Sequence, residues 1–358
     1  VGQITDPPPA VKPGWAAQRR IAQGRPMAET AQRKLILINK AALDELVPLQ
    51  DAITIVDAAM REFSAGRVGS PQRAVLTVNP ATRMGLMPGT MPGLGRFGLK
   101  VVSLSSDAPQ YGLPSHQGMM LLFDDKTGQP LCAVECHALT RLRTAAASAV
   151  ATRALSRPDS KILTIIGCGD LAGPHIEAIS AVRPIEQVVV WGRQPGKVEA
   201  FVRGLPKYLN QSIGVTSDIR QAVSLGDIIC TVTASQEPLI QGEWLKPGQH
   251  LNLVGASLKA AREVDDEVVA RGYYIADSRP HALAQAGEFL HAIAQGKVKE
   301  DHLKGEIGEV LMGQVPGRAN REQITLYKSL GHTAQDISVA DAALSRAAES
   351  GKVASIDW

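Results

Sequence analysis

The sequence predicts an α/β protein with two regions, a mixed α+β region and a doubly wound parallel sheet covered by helices on both faces. After about residue 150, strand-like and helix-like segments alternate regularly. The strand-like segments there are continuously apolar, which is typical of parallel strands buried on both faces. Before that point, strand-like runs follow one another through tight turns, as in a mixed sheet. A length of 358 residues suits two cores of this kind.

In the first region, residues 31–150, we predict a strand at residues 35–38 and a helix at residues 51–63. Residues 84–98 are rich in Gly, Pro and Met, and we expect loops around residues 84–94. Further strands are expected at residues 99–103, 119–123 and 131–134, with a hairpin turn at residues 124–128. Residues 1–30 are interrupted by prolines and lack a helical or strand period, so we expect a flexible N-terminal arm.

The second region, residues 151–324, is expected to form the parallel sheet. An alanine-rich helix over residues 144–155 leads into it and ends before Pro158. The apolar strands expected after it are residues 162–166, 187–191, 213–215, 227–233, 250–254 and 273–276.

Composition and charge exclude several classes of protein. The chain is 44% hydrophobic and 20% charged, which is typical of a globular protein. Its net charge of +3 is weak and spread along the chain, so neither nucleic acid nor a membrane is expected as a partner. No apolar run approaches the roughly 20 residues of a membrane span. No signal-peptide core is visible at the start, so a cytoplasmic location is expected.

The four cysteines are too few for a disulfide scaffold in a chain of this length. Cys132, Cys136 and His137 are close in sequence, but their spacing matches no common zinc pattern. The stretch from Pro130 to Cys136 is instead typical of a buried strand. We therefore expect no metal.

A glycine-rich turn gives the clearest chemical signal. Residues 162–166 form an apolar strand, and Gly167-Cys-Gly169-Asp170-Leu171-Ala172 follows directly, before a helix. Gly167 permits a tight turn, and Gly169 lets a pyrophosphate approach the backbone. Ala172 permits close packing of the helix, whose N-terminus offers N–H donors and a positive dipole. The motif and its context predict a Rossmann-type dinucleotide-binding domain.

The second strand of this domain bears on the choice of cofactor. NAD-selective sites usually end that strand with an acid that binds the ribose 2′-hydroxyl. This chain has Trp191-Gly-Arg193-Gln194 instead. Because Arg193 suits a 2′-phosphate, NADP(H) is favoured, with NAD(H) as the alternative.

An ordered set of segments resembles the ornithine cyclodeaminase/mu-crystallin family. It includes Leu139-Thr-Arg-Leu-Arg143-Thr-Ala-Ala-Ala-Ser148, the hallmark run at the entry to the dinucleotide domain. The other segments are residues 98–102, 113–117, 242–250, 252–257, 262–265, 305–310 and 327–331 followed by Asp336. The resemblance covers the chain from about residue 35 to its end.

This resemblance implies a homodimer of two-domain subunits that act on a small imino or amino acid. The substrate-binding and dimerisation domain would comprise residues 31–150 and 325–358. Arg73, Lys100 and Arg143 match the basic positions that hold the substrate carboxylate, with Lys100 and Arg143 as catalytic residues. Cations of this kind make an efficient carboxylate clamp. Lys100 also lies inside a strand-like run, where a buried cation needs a partner or a function.

The resemblance also implies which side chains line the cofactor. Ser115, His116, Thr144, Thr233 and Ser329 match such positions, together with Arg143 and the glycine turn, including Asp170 and Leu171. Turn and cap chemistry is the alternative for Ser115 and Thr233. Leu171 stands where many family members have Gln, which removes one polar contact near the pyrophosphate.

One departure separates the activities within the family. Members that cyclise ornithine carry an Asp where this chain has Ser257, and a neutral hydroxyl cannot replace a carboxylate as general base. The Gly-Ala-Ser257 form resembles the mu-crystallin, ketimine-reductase branch. Glu263 and Asp265 match a separate, structural acidic pair.

We therefore expect an NAD(P)H-dependent reductase of a small α-imino acid, such as pyrroline-2-carboxylate, piperideine-2-carboxylate or iminosuccinate. Three alternatives remain at this point. They are an NAD-dependent ornithine cyclodeaminase, an alanine dehydrogenase-like enzyme, and a protein that binds NADPH and a small ligand without turnover.

Overall fold

Two β-sheets organise the part of the chain that the computed structural model describes, residues 34–206, 211–350 and 353–357. The arm expected over residues 1–30 lies outside these ranges. The described strands are β1 (Lys34–Ile38), β2 (Ala74–Asn79), β3 (Thr82–Met91), β4 (Arg96–Ser105), β5 (His116–Asp124), β6 (Pro130–Glu135), β7 (Ile162–Ile166), β8 (Gln187–Trp191), β9 (Ser212–Val215), β10 (Ile228–Thr231), β11 (His250–Leu253), β12 (Tyr273–Ala276), β13 (Leu303–Glu306), β14 (Thr325–Lys328) and β15 (Ala354–Asp357).

The helices lie between these strands and cover the sheets. In chain order they are α1 (Lys40–Leu46), α2 (Leu49–Ser64), α3 (Cys136–Leu155), α4 (Ala172–Ser180), α5 (Pro195–Arg203), α6 (Ile219–Leu225), α7 (Asp266–Arg271), α8 (Arg279–Gln285), α9 (Gly287–Ala294), α10 (Ile307–Leu311) and α11 (Thr333–Ser350). No helix in the described ranges is long and apolar enough to span a bilayer.

The first sheet is mixed, as predicted, and has the order β15-β1-β6-β5-β4-β3-β2. Its β3 corrects the prediction of loops around residues 84–94, since residues 84–91 belong to a ten-residue strand, and a 3₁₀ turn at Pro92–Leu94 follows it. Glycine in β3 allows a helix to pack closely against the sheet. A Cβ on Gly89 would lie 2.8 Å from Cβ of Thr333, at the start of α11, so the glycine lets this helix approach the sheet.

The second sheet is parallel throughout, with the order β13-β12-β14-β11-β10-β7-β8-β9. This confirms the predicted doubly wound α/β architecture. The strand β14 pairs with β11 and β12 inside this sheet, although the sequence assigned residues 325–328 to the other domain. The strand escaped prediction because it is short and contains Lys328, whose buried charge is paired with Glu288 at 2.8 Å.

The helix α3 joins the two regions and carries several residues of the site. It starts at Cys136, eight residues before the predicted alanine-rich stretch, because the Glu135 carboxylate accepts hydrogen bonds from the backbone N–H groups of His137 and Ala138, both at 2.7 Å. Its small buried side chains let it pack against α2 and α4 and against strands of both sheets. This packing holds Arg143 and Thr144 between the two sheets.

Candidate active site

A groove of about 530 Å³ opens at the carboxyl end of the parallel sheet. It lies beside β7. The strands β8 and β9 are added on one side of β7, whereas β10 and β11 are added on its other side, so the direction of strand addition reverses here. Such a switch point is where ligands bind in open α/β sheets. Seven predicted cofactor residues line the groove: Ser115, Gly167, Gly169, Asp170, Leu171, Arg193 and Thr233.

The glycine turn fits the pyrophosphate of a dinucleotide. Gly167 has a φ of +118°, and a Cβ there would lie 2.9 Å from the Val232 carbonyl oxygen, so only glycine suits this turn. A Cβ on Gly169 would point into open space, which leaves the backbone accessible from the groove. The helix α4 begins just beyond without a side-chain cap. Its Ala172 N–H donates to the Gly169 carbonyl oxygen and Pro174 has no N–H, so the Gly173 N–H and the helix dipole are what the first turn offers to an anion.

Two cations lie at the end of the groove that follows β8. Arg193 was predicted there, and Lys197, in the first turn of α5, joins it. The only acid among the described groove residues is Asp170, which belongs to the glycine turn rather than to β8. Lys197 was missed because a basic residue on a surface helix is usually solvated. This end of the groove therefore favours a ligand with additional negative charge.

Thr233 contributes to the groove wall, but its hydroxyl is already engaged. It donates to Glu263 at 2.8 Å and accepts from the backbone N–H of Ser235 at 3.1 Å. The buried Glu263 carboxylate also accepts from the Thr231 hydroxyl and from three backbone N–H groups, those of Thr233, Gly255 and Ala256, at 2.7–3.1 Å. It therefore ties the ends of β10 and β11 together.

A second pocket, of about 180 Å³, adjoins the groove. Leu171 and Gly255 line both spaces, so a molecule lying in the groove would reach the pocket at these residues. The pocket is lined by the three predicted substrate-binding cations, Arg73, Lys100 and Arg143. It is also lined by three residues that were predicted to contact the cofactor, His116, Thr144 and Ser329.

The cations at the bottom of the pocket are held by Asp336, at the start of α11. Lys100 Nζ lies 3.0 and 2.9 Å from its two carboxylate oxygens, and Arg143 Nε lies 3.1 Å from Oδ1. Burial acts to raise the pKa of Asp336, but the two cations outweigh it and the pKa is lowered. Burial, with Arg143 nearby, lowers the pKa of Lys100. The sequence marked Asp336 only as part of a motif and gave it no role.

Arg73 is fixed from the other side of the pocket. Its guanidinium donates to the carbonyl oxygens of Leu330 and, at 3.0 Å, Gly331. The buried Asp277 carboxylate accepts from the N–H groups of the same two residues, at 2.7 and 2.5 Å. A Cβ on Gly331 would lie 2.3 Å from Nη1 of Arg143, so this glycine makes room for the guanidinium. Asp277 was not identified from the sequence.

The remaining polar side chains of the pocket differ in charge state and in availability. Burial and the nearby Lys100 and Arg143 lower the pKa of His116 to about 4, so its imidazole is neutral at pH 7. Thr144 Oγ1 is buried and has no hydrogen-bond partner among the described residues, so it is available to a ligand. Ser257 lines the pocket, and no Asp or Glu does so in the described chain.

The cysteines and their neighbours form no site of their own. Cys132 and Cys136 are buried, and burial raises the pKa of the Cys132 thiol to about 12. Within the described ranges, no group of three or more His, Cys, Asp or Glu side chains is arranged to hold a metal ion.

Comparisons with known proteins place the site in a family. The model of the ornithine cyclodeaminase/mu-crystallin family matches residues 33–351. The Δ1-pyrroline-2-carboxylate reductase of Bacillus thuringiensis subsp. konkukian is 34% identical over 319 residues, covering 88% of this chain and 98% of that protein. Ketimine reductase mu-crystallin of Mus musculus is 35% identical over 289 residues, covering 80% of this chain and 88% of that protein.

The similarity extends to solved structures. The structure of Thermococcus litoralis Δ1-pyrroline-2-carboxylate reductase in complex with NADH and L-proline is 33% identical and superposes with a TM-score of 0.87, covering 89% of this chain and 99% of that one. The sequence match, the fold and the arrangement of groove and pocket agree. The chain therefore belongs to the ornithine cyclodeaminase/mu-crystallin family.

Proposed function

We propose that the protein reduces a small α-imino acid to the corresponding amino acid with NAD(P)H. The observation that carries this proposal is the convergence of Arg73, Lys100 and Arg143 in a pocket that adjoins the dinucleotide groove and has no acid in its described lining. Such a pocket suits a small carboxylate held next to the reactive end of a dinucleotide. Relatives named as reductases of pyrroline-2-carboxylate and ketimines support the same reaction class.

The chain's own residues bind the substrate and supply a proton. Arg73 and Arg143 hold the α-carboxylate, since guanidinium groups bind carboxylates through paired hydrogen bonds. Lys100 orients the substrate and gives a proton to the imine nitrogen, a role that its lowered pKa favours. When bound, the reduced nicotinamide supplies a hydride to the imine carbon. The C=N bond thus gains a hydride and a proton, and NAD(P)⁺ is released.

NADP(H) is the preferred cofactor in this proposal. Arg193 and Lys197 line the end of the groove after β8, where NAD-selective domains usually carry an acid. The two cations suit the 2′-phosphate of NADPH. The glycine turn and the first turn of α4 serve the pyrophosphate of either cofactor.

Reduction fits the pocket better than cyclodeamination does. A cyclodeaminase needs a carboxylate to bind and deprotonate the substrate amine. This chain has Ser257 on the pocket wall, and Glu263 is engaged with the ends of β10 and β11. A distal ammonium group would also face only cations and neutral groups among the described lining residues.

A substrate panel tests the proposed activity. Oxidation of NADPH and NADH is followed at 340 nm with pyrroline-2-carboxylate, piperideine-2-carboxylate, iminosuccinate, and pyruvate plus ammonia. Ammonia release from ornithine is measured in parallel. We expect saturable NADPH consumption with an imino acid. Ammonia from ornithine without net cofactor change would replace the proposal with cyclodeamination. Tight NADPH binding without turnover across the panel would indicate a binding protein.

The assembly we propose is a homodimer formed through the first sheet. One face of this sheet is covered by helices, and the opposite face carries partly exposed apolar side chains, including Leu99, Val101 and Leu121. Leu76 and Met119 on that face are 52% and 57% exposed. An apolar face of this kind suits an equivalent face on a second copy.

Light scattering after size exclusion tests this assembly. The double variant Leu76→Glu, Met119→Glu should elute as a monomer. The control Leu225→Glu, at an exposed leucine of α6, should leave a dimer intact. A monomeric wild-type protein would overturn the proposal.

A further inference from the structure

We infer that the pocket selects an α-imino acid that carries a second acidic group, and that Arg83 is the residue that recognises this group. The inference rests on the proposed reductase function and narrows its substrate class to imino dicarboxylates. Arg83 lies on β3 and lines the same pocket as Arg73, Lys100 and Arg143, but it has no part in the carboxylate clamp proposed above.

The strand register places Arg83 at the opposite end of the pocket from Lys100. On β3, Met87 is paired with Lys100, whereas Arg83 is paired with Leu104 four residues further along β4. Residues four apart on a strand point to the same face and are separated by about 13 Å along it. Lys100 is buried at the closed end, and Arg83 is exposed at the mouth. The lysine and arginine side chains are long and can lean along the strands, so a small ligand between them meets one cationic group at each end.

Arg83 differs from the other three cations in having no partner. Lys100 and Arg143 share Asp336, and Arg73 donates to the Leu330 and Gly331 carbonyls. In the described part of the chain, no carboxylate or hydrogen-bond acceptor contacts the guanidinium of Arg83. A guanidinium that is aimed into a pocket and left unpaired is available to an anion on the ligand.

The charge balance of the pocket points to a dianion. Four cations line it, and the two buried carboxylates that face them are Asp336 and Asp277. These formal charges leave an excess of two positive charges. A monocarboxylate compensates one of them and a dicarboxylate both. A diamino acid would instead bring its distal ammonium group toward Arg83, which disfavours it.

On β2, β3 and β4, the pocket floor between the two ends has no polar side chain to serve a neutral substrate tail. It is formed on this face by Gly85, Met87, Val102 and Leu104, with Val75 from β2. His116, on β5 opposite Leu104, is neutral at pH 7, so Arg83 is the charged group at this end of the pocket that can distinguish an anionic tail from an apolar one.

Matched substrates test the role of Arg83 in turnover. The values of kcat/KM are measured with NADPH for iminosuccinate, formed from oxaloacetate and ammonia, and for pyrroline-2-carboxylate. In Arg83→Gln we expect kcat/KM for iminosuccinate to fall about tenfold to a hundredfold, mainly through KM, as for loss of a charge-assisted hydrogen bond. The value for pyrroline-2-carboxylate should stay within about twofold, since that substrate has no second anion. Arg83→Lys should recover part of the loss, and Lys126→Gln, at an exposed turn lysine, should change neither value.

Binding provides a readout that does not depend on turnover. Calorimetric titration of the enzyme–NADP⁺ complex with L-aspartate and with L-asparagine compares two ligands of equal size that differ in one charge. Wild type should prefer L-aspartate, and Arg83→Gln should lose that preference.

The outcomes separate this inference from the proposed function. Equal losses for both substrates in Arg83→Gln, or no preference for L-aspartate in wild type, would overturn the inference while leaving the reductase assignment intact. Reduction of neither imino acid by wild type, with NADPH bound, would overturn both.

Discussion

The ammonium group of Lys100 lies within 3.0 Å of both carboxylate oxygens of Asp336, and both side chains are buried. Arg143 shares the same carboxylate, so one anion from α11 fixes two cations, one from β4 and one from α3. The three residues are far apart in sequence and meet only because α11 packs against the first sheet. The cations are therefore held in place before a substrate carboxylate arrives, which reduces the entropic cost of binding it.

Asp336→Asn should destabilise the fold as well as the site. The amide leaves Lys100 and Arg143 without their buried anion, and loss of one partner of such a group costs about 3–5 kcal/mol. The free energy of unfolding in urea measures this effect. Asp341→Asn, on the same helix, removes a more accessible partner of Arg96 and should cost within about 1 kcal/mol. Equal stability of the two variants would contradict the proposed role of Asp336.

Arg143→Ala should lower kcat/KM for the imino acid by about a hundredfold or more, because it removes a charge-assisted carboxylate contact in a buried pocket. Cofactor binding should weaken too, because the pocket that Arg143 lines adjoins the dinucleotide groove at Leu171 and Gly255. Arg143→Lys keeps the charge without the planar fork and should recover only part of the loss. Steady-state kinetics with each substrate varied in turn checks this prediction. An unchanged kcat/KM in Arg143→Ala would exclude the assigned role.

Removal of the two cations that follow β8 should change the choice of cofactor. In the double variant Arg193→Ser, Lys197→Ser, we expect the KM for NADPH to rise about tenfold to a hundredfold, from the loss of charge-assisted phosphate contacts. The KM for NADH should change little, because that cofactor has no 2′-phosphate. Lys161→Ser, at an exposed residue paired with Glu186, serves as the control. Equal increases in the KM for NADPH and for NADH would show that these residues do not bind the 2′-phosphate.

The buried His175 should make stability depend on pH below neutrality. Its Nδ1 lies 2.7 Å from the Leu171 carbonyl oxygen and its Nε2 lies 3.0 Å from Ser148 Oγ, and burial lowers its pKa from 6.5 to about 4. Between these values the unfolded chain binds more protons than the folded one. The stabilisation is thus complete above about pH 6.5 and is lost as the pH falls toward 4.

Urea unfolding between pH 7 and pH 5 measures this dependence. In His175→Gln, the free energy of unfolding should fall less steeply with decreasing pH than in wild type. Ser148→Ala, which removes the hydroxyl near His175 Nε2 but keeps the buried imidazole, should retain a slope close to that of wild type. A wild-type slope in His175→Gln would rule out this histidine as a source of the acid sensitivity.

The features that the sequence predicted best are local ones. Gly167 to Ala172 form one contiguous turn between a strand and a helix, so their spacing alone indicates a dinucleotide groove. Arg73, Lys100 and Arg143 are widely separated, and only the resemblance to a family grouped them. The fold itself followed from the alternation of apolar strands and helices.

The features that the sequence missed depend on tertiary contacts. Asp336 contacts Lys100 and Arg143, which are far from it in sequence. Asp277 binds the backbone segment that accepts hydrogen bonds from Arg73. No local sequence pattern marks either acid. Arg83 and Lys197 resemble ordinary surface charges until the pocket and groove are formed. The strand β14 was misassigned because a buried lysine is unexpected in a short strand unless its partner, Glu288, is known.

A deuterium label on the cofactor shows whether its hydride passes to the imine carbon of the substrate. The enzyme is incubated with pyrroline-2-carboxylate or iminosuccinate and with NADPH deuterated at the transferring position of C4, and the amino acid product is analysed by mass spectrometry and NMR. We expect one deuterium at Cα of the product, with one NADP⁺ formed for each amino acid. Product without deuterium, or turnover of ornithine with no net change in the cofactor, would contradict it.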